Sequence, residues 1–256
     1  MKWSLVSAVN NDEALKSCLL SSPDAASVAE IILQRGFSSA ASAYNAAIQK
    51  ARCDLLVFAH QDVYLPGGWF SSVEKAVELL SAKDPNWGIL GVWGVSSTGS
   101  RAGFLYCTGL GATLEGNRAD VSEVLTLDEV VLILRRSSGL SFDEKLPGFH
   151  MYGADICLAA RSKGMKCYAI RAFCIHNTNG YRMLPLAFWR AYLFMRKKWK
   201  SELPVPTSCI LISFWCWPML RWNIVRGINL LIGRDAPPAG PAPDPGRLHG
   251  VLVSPK

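Results

Sequence analysis

The chain has 256 residues, of which 50% are hydrophobic and 18% charged, and a formal net charge of +7. This length supports one substantial core, and this composition excludes a largely disordered protein. The eight cysteines are scattered without a C-x-x-C pair, so the spacing of a structural zinc site is absent from the sequence. The apolar stretch near the N-terminus is too short for the core of a signal peptide. We therefore expect a cytoplasmic protein with reduced thiols.

The first third of the sequence alternates between strand-like and helix-like segments. An Asn10-Asn11-Asp12 sequence follows the first strand and is typical of a helix start, and Ser38 or Ser39 can cap the alanine-rich helix. Strands separated by helices of this length predict βαβ units and a mostly parallel sheet. The predicted elements are strands at 5–9, 28–33, 54–59 and 87–95, and helices at 13–20, 38–51 and 69–82.

The middle of the chain continues the α/β pattern with more β structure. The glycine-rich residues 99–125 predict hairpins or mixed-sheet structure, and a further strand is predicted at 130–136. A helix is expected to open at Asp155 and to stop at Gly164, because glycine is a common C-terminal stop. The last strand of this part is predicted at 167–176.

The character of the sequence changes after residue 182. Residues 183–233 are aromatic and basic and predict a helical extension, while Pro218, Arg221 and Arg226 interrupt its longest apolar run. Charges at the centre of a membrane are unfavourable, so helices in the membrane interface or packed on the domain are favoured over a span. The proline-rich residues 234–256 predict a disordered tail. The predicted organisation is a domain at 1–182, an extension at 183–233 and this tail.

Histidines and aspartates lie at the ends of predicted elements. His60 and Asp62 follow the strand at 54–59, His176 ends the strand at 167–176, and His150 precedes the helix of Asp155. Ligands of open α/β sheets bind beyond the carboxyl ends of the strands, where such side chains converge. Two structural alternatives remain open: Asp62 could cap the turn before Pro66, and Asp155 could be a helix N-cap.

The order of these residues and their neighbouring sequences resembles the nucleotide-sugar glycosyltransferases of the GT-A fold, the family-two-like group. The resemblance starts with SLVSAVNNDEALKSCLLSS, similar to the opening strand, loop and helix of that group. It continues through SAASAYNAAIQKARCDLLVFAHQDVYLPGGW, which is similar to its D-x-D segment, and closes with residues 127–170, which contain the FDE and GAD sequences. The fold implied is a Rossmann-like, mixed and mostly parallel sheet flanked by helices.

The resemblance implies a metal-assisted donor site. Asp62 matches the last acid of the D-x-D motif and His176 a late histidine, and both would bind Mn²⁺ or Mg²⁺ against the diphosphate. His60 stands where the motif has its first acid. The segment after the second strand carries Gln-Arg-Gly instead of an aspartate-rich turn, so the nucleotide stays open. The residues implied in nucleotide-sugar binding are Val9, Asn10, Asn45, His60, Gln61 and Asp62.

The resemblance also implies a base and an acceptor site. Asp155 matches the general base that deprotonates the acceptor hydroxyl for inverting attack, although Ala154 replaces the glutamate before it. His150 and Tyr152 would line the acceptor site.

The function predicted from the sequence is sugar transfer to a surface glycan or a lipid-linked saccharide, with a peripheral contact at the inner face of the cell membrane and no nucleic-acid partner. Two alternatives stay open. A nucleotidyltransferase also uses a carboxylate-bound metal, but no glycine-rich basic phosphate loop follows the first strand. A catalytically silent nucleotide- or glycan-binding scaffold is consistent with the missing acids at positions 60 and 154.

Overall fold

The computed structural model describes residues 1–180, 183–234 and 239–253. Helices form at α1 (Asp12–Ser17), α2 (Ala40–Lys50), α3 (Trp69–Lys83), α4 (Tyr152–Ser162), α5 (Leu186–Lys198), α6 (Trp217–Leu231) and α7 (Pro245–Val253). Strands form at β1 (Trp3–Val9), β2 (Glu30–Arg35), β3 (Leu55–Ala59), β4 (Val63–Tyr64), β5 (Ile89–Gly91), β6 (Trp93–Val95), β7 (Arg101–Cys107), β8 (Ala112–Glu115), β9 (Val121–Val124), β10 (Thr126–Leu127), β11 (Val131–Arg135), β12 (Cys167–Ile170), β13 (Cys174–His176), β14 (Val205–Pro206) and β15 (Leu211–Ile212).

The main sheet has seven strands in the order β2-β1-β3-β11-β5-β12-β9. Strand β1 is parallel to both of its neighbours, β2 and β3, and β12 is parallel to β5. Strand β11 is antiparallel to both of its neighbours, and β9 is antiparallel to β12. The sheet is therefore mixed, and one reversed strand lies at its centre.

Both faces of the main sheet are covered. Alternate side chains of β3 belong to opposite clusters, because successive residues of a strand point to opposite faces. Phe58 packs with α2, α4 and α5, whereas Val57 packs with α3. The result is a three-layer α/β architecture in which both sides of the central strands are buried.

A second sheet has the order β10-β6-β7-β13-β4, and β8 pairs with β7. Strands β6, β7 and β10 of this sheet contact β12 of the first. Two predicted single strands are divided between the sheets: 87–95 becomes β5 and β6, and 167–176 becomes β12 and β13. The two sheets meet closely at Gly103 of β7, which has φ 108° and lies so near Val92 that a Cβ there would overlap the Val92 carbonyl. Hydrophobic runs do not reveal such a change of sheet.

Two helix starts agree with their predicted caps. The Asn11 side chain accepts from the backbone N–H groups of Glu13 at 3.0 Å and Ala14 at 3.1 Å, and Ser39 accepts from Ser42 at 3.2 Å. Helix α4 begins at Tyr152, three residues before its predicted start. Asp155 is thus inside the first turn and is not the N-cap, a position occupied by Met151.

The C-terminal extension is helical, and α5 is part of the domain. Phe188, Tyr192 and Met195 of α5 are buried in the cluster that contains α2 and α4. Helix α6 contributes little to the core, with Met219 and Asn223 as its buried residues. None of the helices among the described residues has the length and hydropathy of a membrane span.

The tail contains a helix where the sequence predicted disorder. Helix α7 lies at 245–253, and the His249 ring packs against Phe173 with centroids 5.9 Å apart. The side chain of Asn177 pairs with the backbone of Ala242 in both directions, at 2.7 Å and 3.0 Å. The proline-rich composition gave no indication of these contacts with a distant part of the chain. Residues 235–238 of the tail, and Arg182 before the extension, lie outside the described residues.

Candidate active site

His60, Asp62 and His176 meet at one edge of the two sheets. Each offers one metal-ligating atom, and these atoms all lie within 4.8 Å of one another. His60 and Asp62 follow the carboxyl end of β3, and β4 then pairs with β13, which places Val63 opposite His176. The backbone N–H of Asn177 also donates to the Asp62 carbonyl at 2.8 Å. The convergence of Asp62 and His176 therefore depends on a strand pair in the second sheet. We call these three residues the metal-type cluster.

The charges of this cluster are mutually dependent. The His176 Nε2 lies 3.6 Å from the Asp62 Oδ1. Burial would lower the pKa of His176, but the Asp62 carboxylate outweighs it and raises this pKa to about 10. Burial would raise the pKa of Asp62, and His176 outweighs that in turn, so the pKa of Asp62 is lowered. Burial lowers the pKa of His60 to about 4, so that its imidazole is neutral at physiological pH.

The donor set of the cluster fits a divalent cation. Two imidazoles and one carboxylate, 18% exposed at His176 and 24% exposed at Asp62, are within reach of an ion from solvent. Imidazole suits Mn²⁺ better than Mg²⁺, which prefers oxygen ligands. His60 is thus a third candidate ligand, at the position where the D-x-D motif has its first acid.

Gln61 connects this cluster to the first loop of the sheet. Its Oε1 accepts from the backbone N–H groups of Asn10 and Asn11, both at 2.9 Å, and its Nε2 donates to the Asn10 Oδ1 at 2.5 Å. Val9 ends β1 directly before this loop and is buried. Four of the residues predicted to bind the nucleotide sugar, together with Asp62, therefore occupy one edge of the main sheet: Val9, Asn10, His60 and Gln61.

Tyr152 and His150, at the start of α4, contact different parts of the protein. The Tyr152 hydroxyl is 2.8 Å from the His60 Nε2 and donates to the Glu129 carbonyl at 3.3 Å, and the Tyr152 side chain is buried. Tyr152 therefore lies beneath His60. His150 is half-buried, and its ring faces Phe188 of α5 at 5.4 Å between centroids.

The Asn45 side chain makes its hydrogen bonds to the loop of the FDE sequence. Its Nδ2 donates to the Phe142 carbonyl at 2.9 Å and to the Glu144 Oε1 at 3.0 Å, and its Oδ1 accepts from the Phe142 N–H at 2.9 Å. The structure thus places Asn45 under the FDE loop, where its polar atoms hold the backbone of that loop.

Asp155 is the centre of a second charged cluster. Its carboxylate accepts from the Lys198 Nζ at 2.7 Å and from the Trp199 Nε1 at 2.7 Å, and Lys198 also pairs with Asp143 at 2.8 Å. The Asp155 side chain is 2% exposed. Burial raises the pKa of Asp155, and the contacts with Lys198 and Trp199 partly offset this. We call Asp143, Asp155, Lys198 and Trp199 the Lys198 cluster.

Asp128 and Glu129 are acids that the sequence did not single out. Because β11 runs antiparallel to β3, the start of β11 lies beside the end of β3, and His60 N–H donates to the Val130 carbonyl at 3.1 Å. Burial, followed by the neighbouring Asp128, raises the pKa of Glu129 to about 8. Asp128 accepts from Ser208 of the extension at 2.5 Å. An antiparallel β11 would have placed these acids at the site, but the hydrophobic pattern of the sequence does not show in which direction a strand runs.

Comparison with solved structures identifies the fold. A crystal structure of GalNAc-T7 with UDP, GalNAc and Mn²⁺ is similar with a TM-score of 0.55 at 11% identity, over 78% of this chain and 49% of that one. A structure of S. aureus TarS 1-349 has a TM-score of 0.49 at 11% identity, over 77% of this chain and 65% of that one. The chain thus spans about half of GalNAc-T7, and the likeness to GalNAc-T7 confirms the predicted GT-A fold.

Comparison of sequences identifies the family. A protein of Fuscovulum blasticum named "ATP synthase subunits region ORF 6" is 30% identical over 154 residues, which are 58% of this chain and 61% of that protein. The model of a family described as "Glycosyltransferase like family" matches residues 4–185. Because this match covers well over half of the sequence, the chain belongs to the glycosyltransferase-like family, as the resemblance of its motifs predicted.

Proposed function

We propose that the protein transfers a sugar from a nucleotide-diphosphate sugar to a hydroxyl acceptor, with metal assistance and with inversion at the anomeric carbon. The observation that carries this proposal is the convergence of His60, Asp62 and His176 beside the loop after β1. A nucleotide and its diphosphate bind at this edge of an open α/β sheet. Family membership supports a nucleotide-sugar donor for a site of this composition.

His60, Asp62 and His176 are the residues that would hold Mn²⁺ or Mg²⁺. Bound there, the cation would supply neutralisation of the diphosphate leaving group. Gln61 fixes the backbone of Asn10 and Asn11, and it thereby shapes the wall that faces the nucleotide. Tyr152 holds the ring of His60 from below. Asn45 supports the site from a distance, through the loop at Phe142.

Asp155 is the proposed general base. A general base must lie within hydrogen-bond reach of the proton it takes, and a raised pKa moves a carboxylate towards the operating pH. The pKa of Asp155 is raised by burial. Since its side chain is 2% exposed beneath Lys198 and Trp199, an acceptor hydroxyl reaches it only when one of these side chains moves aside.

The proposed acceptor is a surface glycan or a lipid-linked saccharide at the inner face of the cell membrane, with the protein on the cytoplasmic side. The C-terminal extension supports this choice because it contacts the site at Asp155 and Asp128 and is rich in basic and aromatic residues. His150 faces α5 of this extension and is the side chain that we assign to the acceptor. The Tyr152 hydroxyl is engaged by His60.

A donor panel tests the proposal. Purified protein is incubated with UDP-, GDP- and dTDP-sugars, with Mn²⁺, with Mg²⁺ or with chelator, and released nucleoside diphosphate is measured. Metal-dependent release from one donor is the expected result. Release of pyrophosphate from a nucleoside triphosphate instead would identify a nucleotidyltransferase. Saturable donor binding without turnover, across a panel of saccharide acceptors, would identify a silent scaffold.

A further inference from the structure

Helix α6 exposes several of its apolar side chains to solvent, although Met219 is buried. Trp217, Ile224, Ile228 and Leu231 are 60%, 46%, 51% and 88% exposed. Its buried positions include a polar residue, Asn223, which donates to the Met219 carbonyl at 3.1 Å and accepts from the N–H of Leu184 at 3.3 Å. A surface helix of a globular protein has the opposite arrangement, with its apolar stripe facing the core. The outward face of α6 therefore lacks a partner within the described chain.

The exposed apolar residues form a stripe along α6, and the exposed Arg221 lies on the same face. Spacings of three and four residues place them on one side of the helix, over its whole length. Phe214 and Trp215, which are 51% and 77% exposed, extend this stripe from the loop before the helix. Apolar patches of this extent on a protein surface mark an interaction site. The stripe consists of Trp217, Leu220, Ile224, Ile228, Leu231 and Ile232.

Positive charge borders this stripe. Residues 183–234 contain eight lysines and arginines and one acid, Glu202, so that this segment accounts for the +7 of the whole chain. Arg196 of α5 donates to the Ser213 carbonyl at 3.0 Å and also to the Phe214 carbonyl, which joins α5 to the loop before α6. Lys197 and Lys200 line a surface depression together with Phe214.

We propose that this face of α6, with Phe214, Trp215 and the lysines of α5, docks on an anionic lipid surface. A helix with an apolar face, interfacial aromatic residues and adjacent basic residues lies in the plane of the head groups. Anionic lipids attract the basic side chains electrostatically. A second copy of the chain would bring two basic rims together, which opposes self-association through this face. Docking of this face on lipid does not depend on the proposed transfer reaction.

Vesicle co-sedimentation tests the docking surface with full-length protein. We expect binding to vesicles of phosphatidylcholine mixed with phosphatidylglycerol, and weak binding to phosphatidylcholine alone. Ile224→Ser with Ile228→Ser weakens partitioning at least about tenfold on anionic vesicles, because two apolar side chains no longer enter the interface. Lys197→Gln with Lys200→Gln weakens it about tenfold or more on anionic vesicles and leaves the weak binding to neutral vesicles unchanged.

Matched controls lie on other helices. Leu79→Ser changes a side chain of α3 that is 42% exposed, and Lys50→Gln with Lys83→Gln removes two exposed lysines outside the extension. Both controls are expected to bind vesicles like the wild type. Equal vesicle binding by the α6 variant and the wild type would overturn the assignment of this face. So would a stable dimer in light scattering that Ile224→Ser dissociates, with no binding to anionic vesicles. Vesicle binding without sugar transfer would contradict the proposed function alone.

Discussion

The two charged clusters of the molecule differ in how completely their polar atoms are paired. In the Lys198 cluster, the Asp155 carboxylate accepts two short hydrogen bonds and is 2% exposed. In the metal-type cluster, Asp62 and His176 are 3.6 Å apart, and each is about one-fifth exposed. A buried charge stabilises a fold only when it has its full set of hydrogen-bond and ion-pair partners. A ligand site instead leaves some donor or acceptor atoms accessible to the ligand. The Lys198 cluster therefore contributes to folding as well as to the proposed chemistry, whereas the metal-type cluster stays accessible to a ligand.

The largest expected effect is that of Asp62→Asn. This change removes the carboxylate of the metal-type cluster, and metal-dependent turnover is expected to fall about a thousandfold, since a bound cation supplies several kcal/mol of charge stabilisation. The melting temperature should also fall, because His176 loses the carboxylate that stabilises its protonated form, so activity is measured well below it. Asp12→Asn, at an acid that pairs with Arg35 on the surface, is the control and should retain activity. Full activity of Asp62→Asn would remove the cluster from the mechanism.

Asp155→Asn separates the two roles of the Lys198 cluster. We expect transfer to fall about a hundredfold or more, because the acceptor loses its base, while donor binding is retained. Asp143→Asn is the matched control, since it also removes a partner of Lys198 but leaves Asp155 in place. Activity of Asp143→Asn should stay within about tenfold of the wild type. Equal losses in the two variants would reduce Asp155 to a structural role.

Lys198→Met tests the structural role directly. It leaves Asp143 and Asp155 without their cation, and the free energy of unfolding should fall by about 2–3 kcal/mol at neutral pH. Lys197→Met changes an exposed neighbour and should alter stability by no more than about 0.5 kcal/mol. Urea unfolding measures both.

The loss in Lys198→Met should depend on pH. Burial raises the pKa of Asp155 and Lys198 opposes that rise, so without Lys198 the folded protein holds this proton more tightly. As the pH rises above about 4, the pKa of an aspartate in the unfolded chain, Asp155 of the unfolded chain loses its proton before Asp155 of the folded protein does. The free energy of unfolding of the variant therefore falls. The pKa of Asp143 is lowered in the folded protein: burial alone would raise it, and Lys198 outweighs this. That stabilisation is present above the unfolded pKa and is also lost. Lys198→Met should therefore be more damaging at about pH 7.5 than at about pH 4.5. An equal loss at both pH values would exclude the ion pairs as its cause.

The smallest expected effect is that of Asn177→Ala, next to the metal-type cluster. Asn177 follows His176 and pairs with Ala242 of the tail. Asn177→Ala should destabilise this contact by about 1 kcal/mol and accelerate amide exchange in the tail about fivefold. Asn117→Ala, in an exposed loop, is the control for exchange in the tail. Unchanged exchange in Asn177→Ala would show that other contacts hold the tail.

Local patterns predicted most helices of the domain and two of their caps, whereas long-range pairing decided the site. Asn11 and Ser39 cap their helices as expected, because capping depends on residues within one turn. Asp62 and His176 come together because β4 pairs with β13, a pairing between residues far apart in the sequence. Strand β11 runs antiparallel to β3 and brings Asp128 and Glu129 to the same edge, and Lys198 pairs with Asp155. No local sequence pattern predicts either feature. Packing between distant segments thus sets the chemistry that sequence periodicity cannot encode.

The most direct test of the metal-type cluster is Mn²⁺ binding to the wild type and to Asp62→Asn, measured by isothermal titration calorimetry with and without UDP or GDP. Binding of Mn²⁺ that one nucleoside diphosphate strengthens in the wild type, and that Asp62→Asn loses, is the predicted result. Equal Mn²⁺ binding by both proteins, or no effect of either nucleotide, would contradict a diphosphate site at His60, Asp62 and His176.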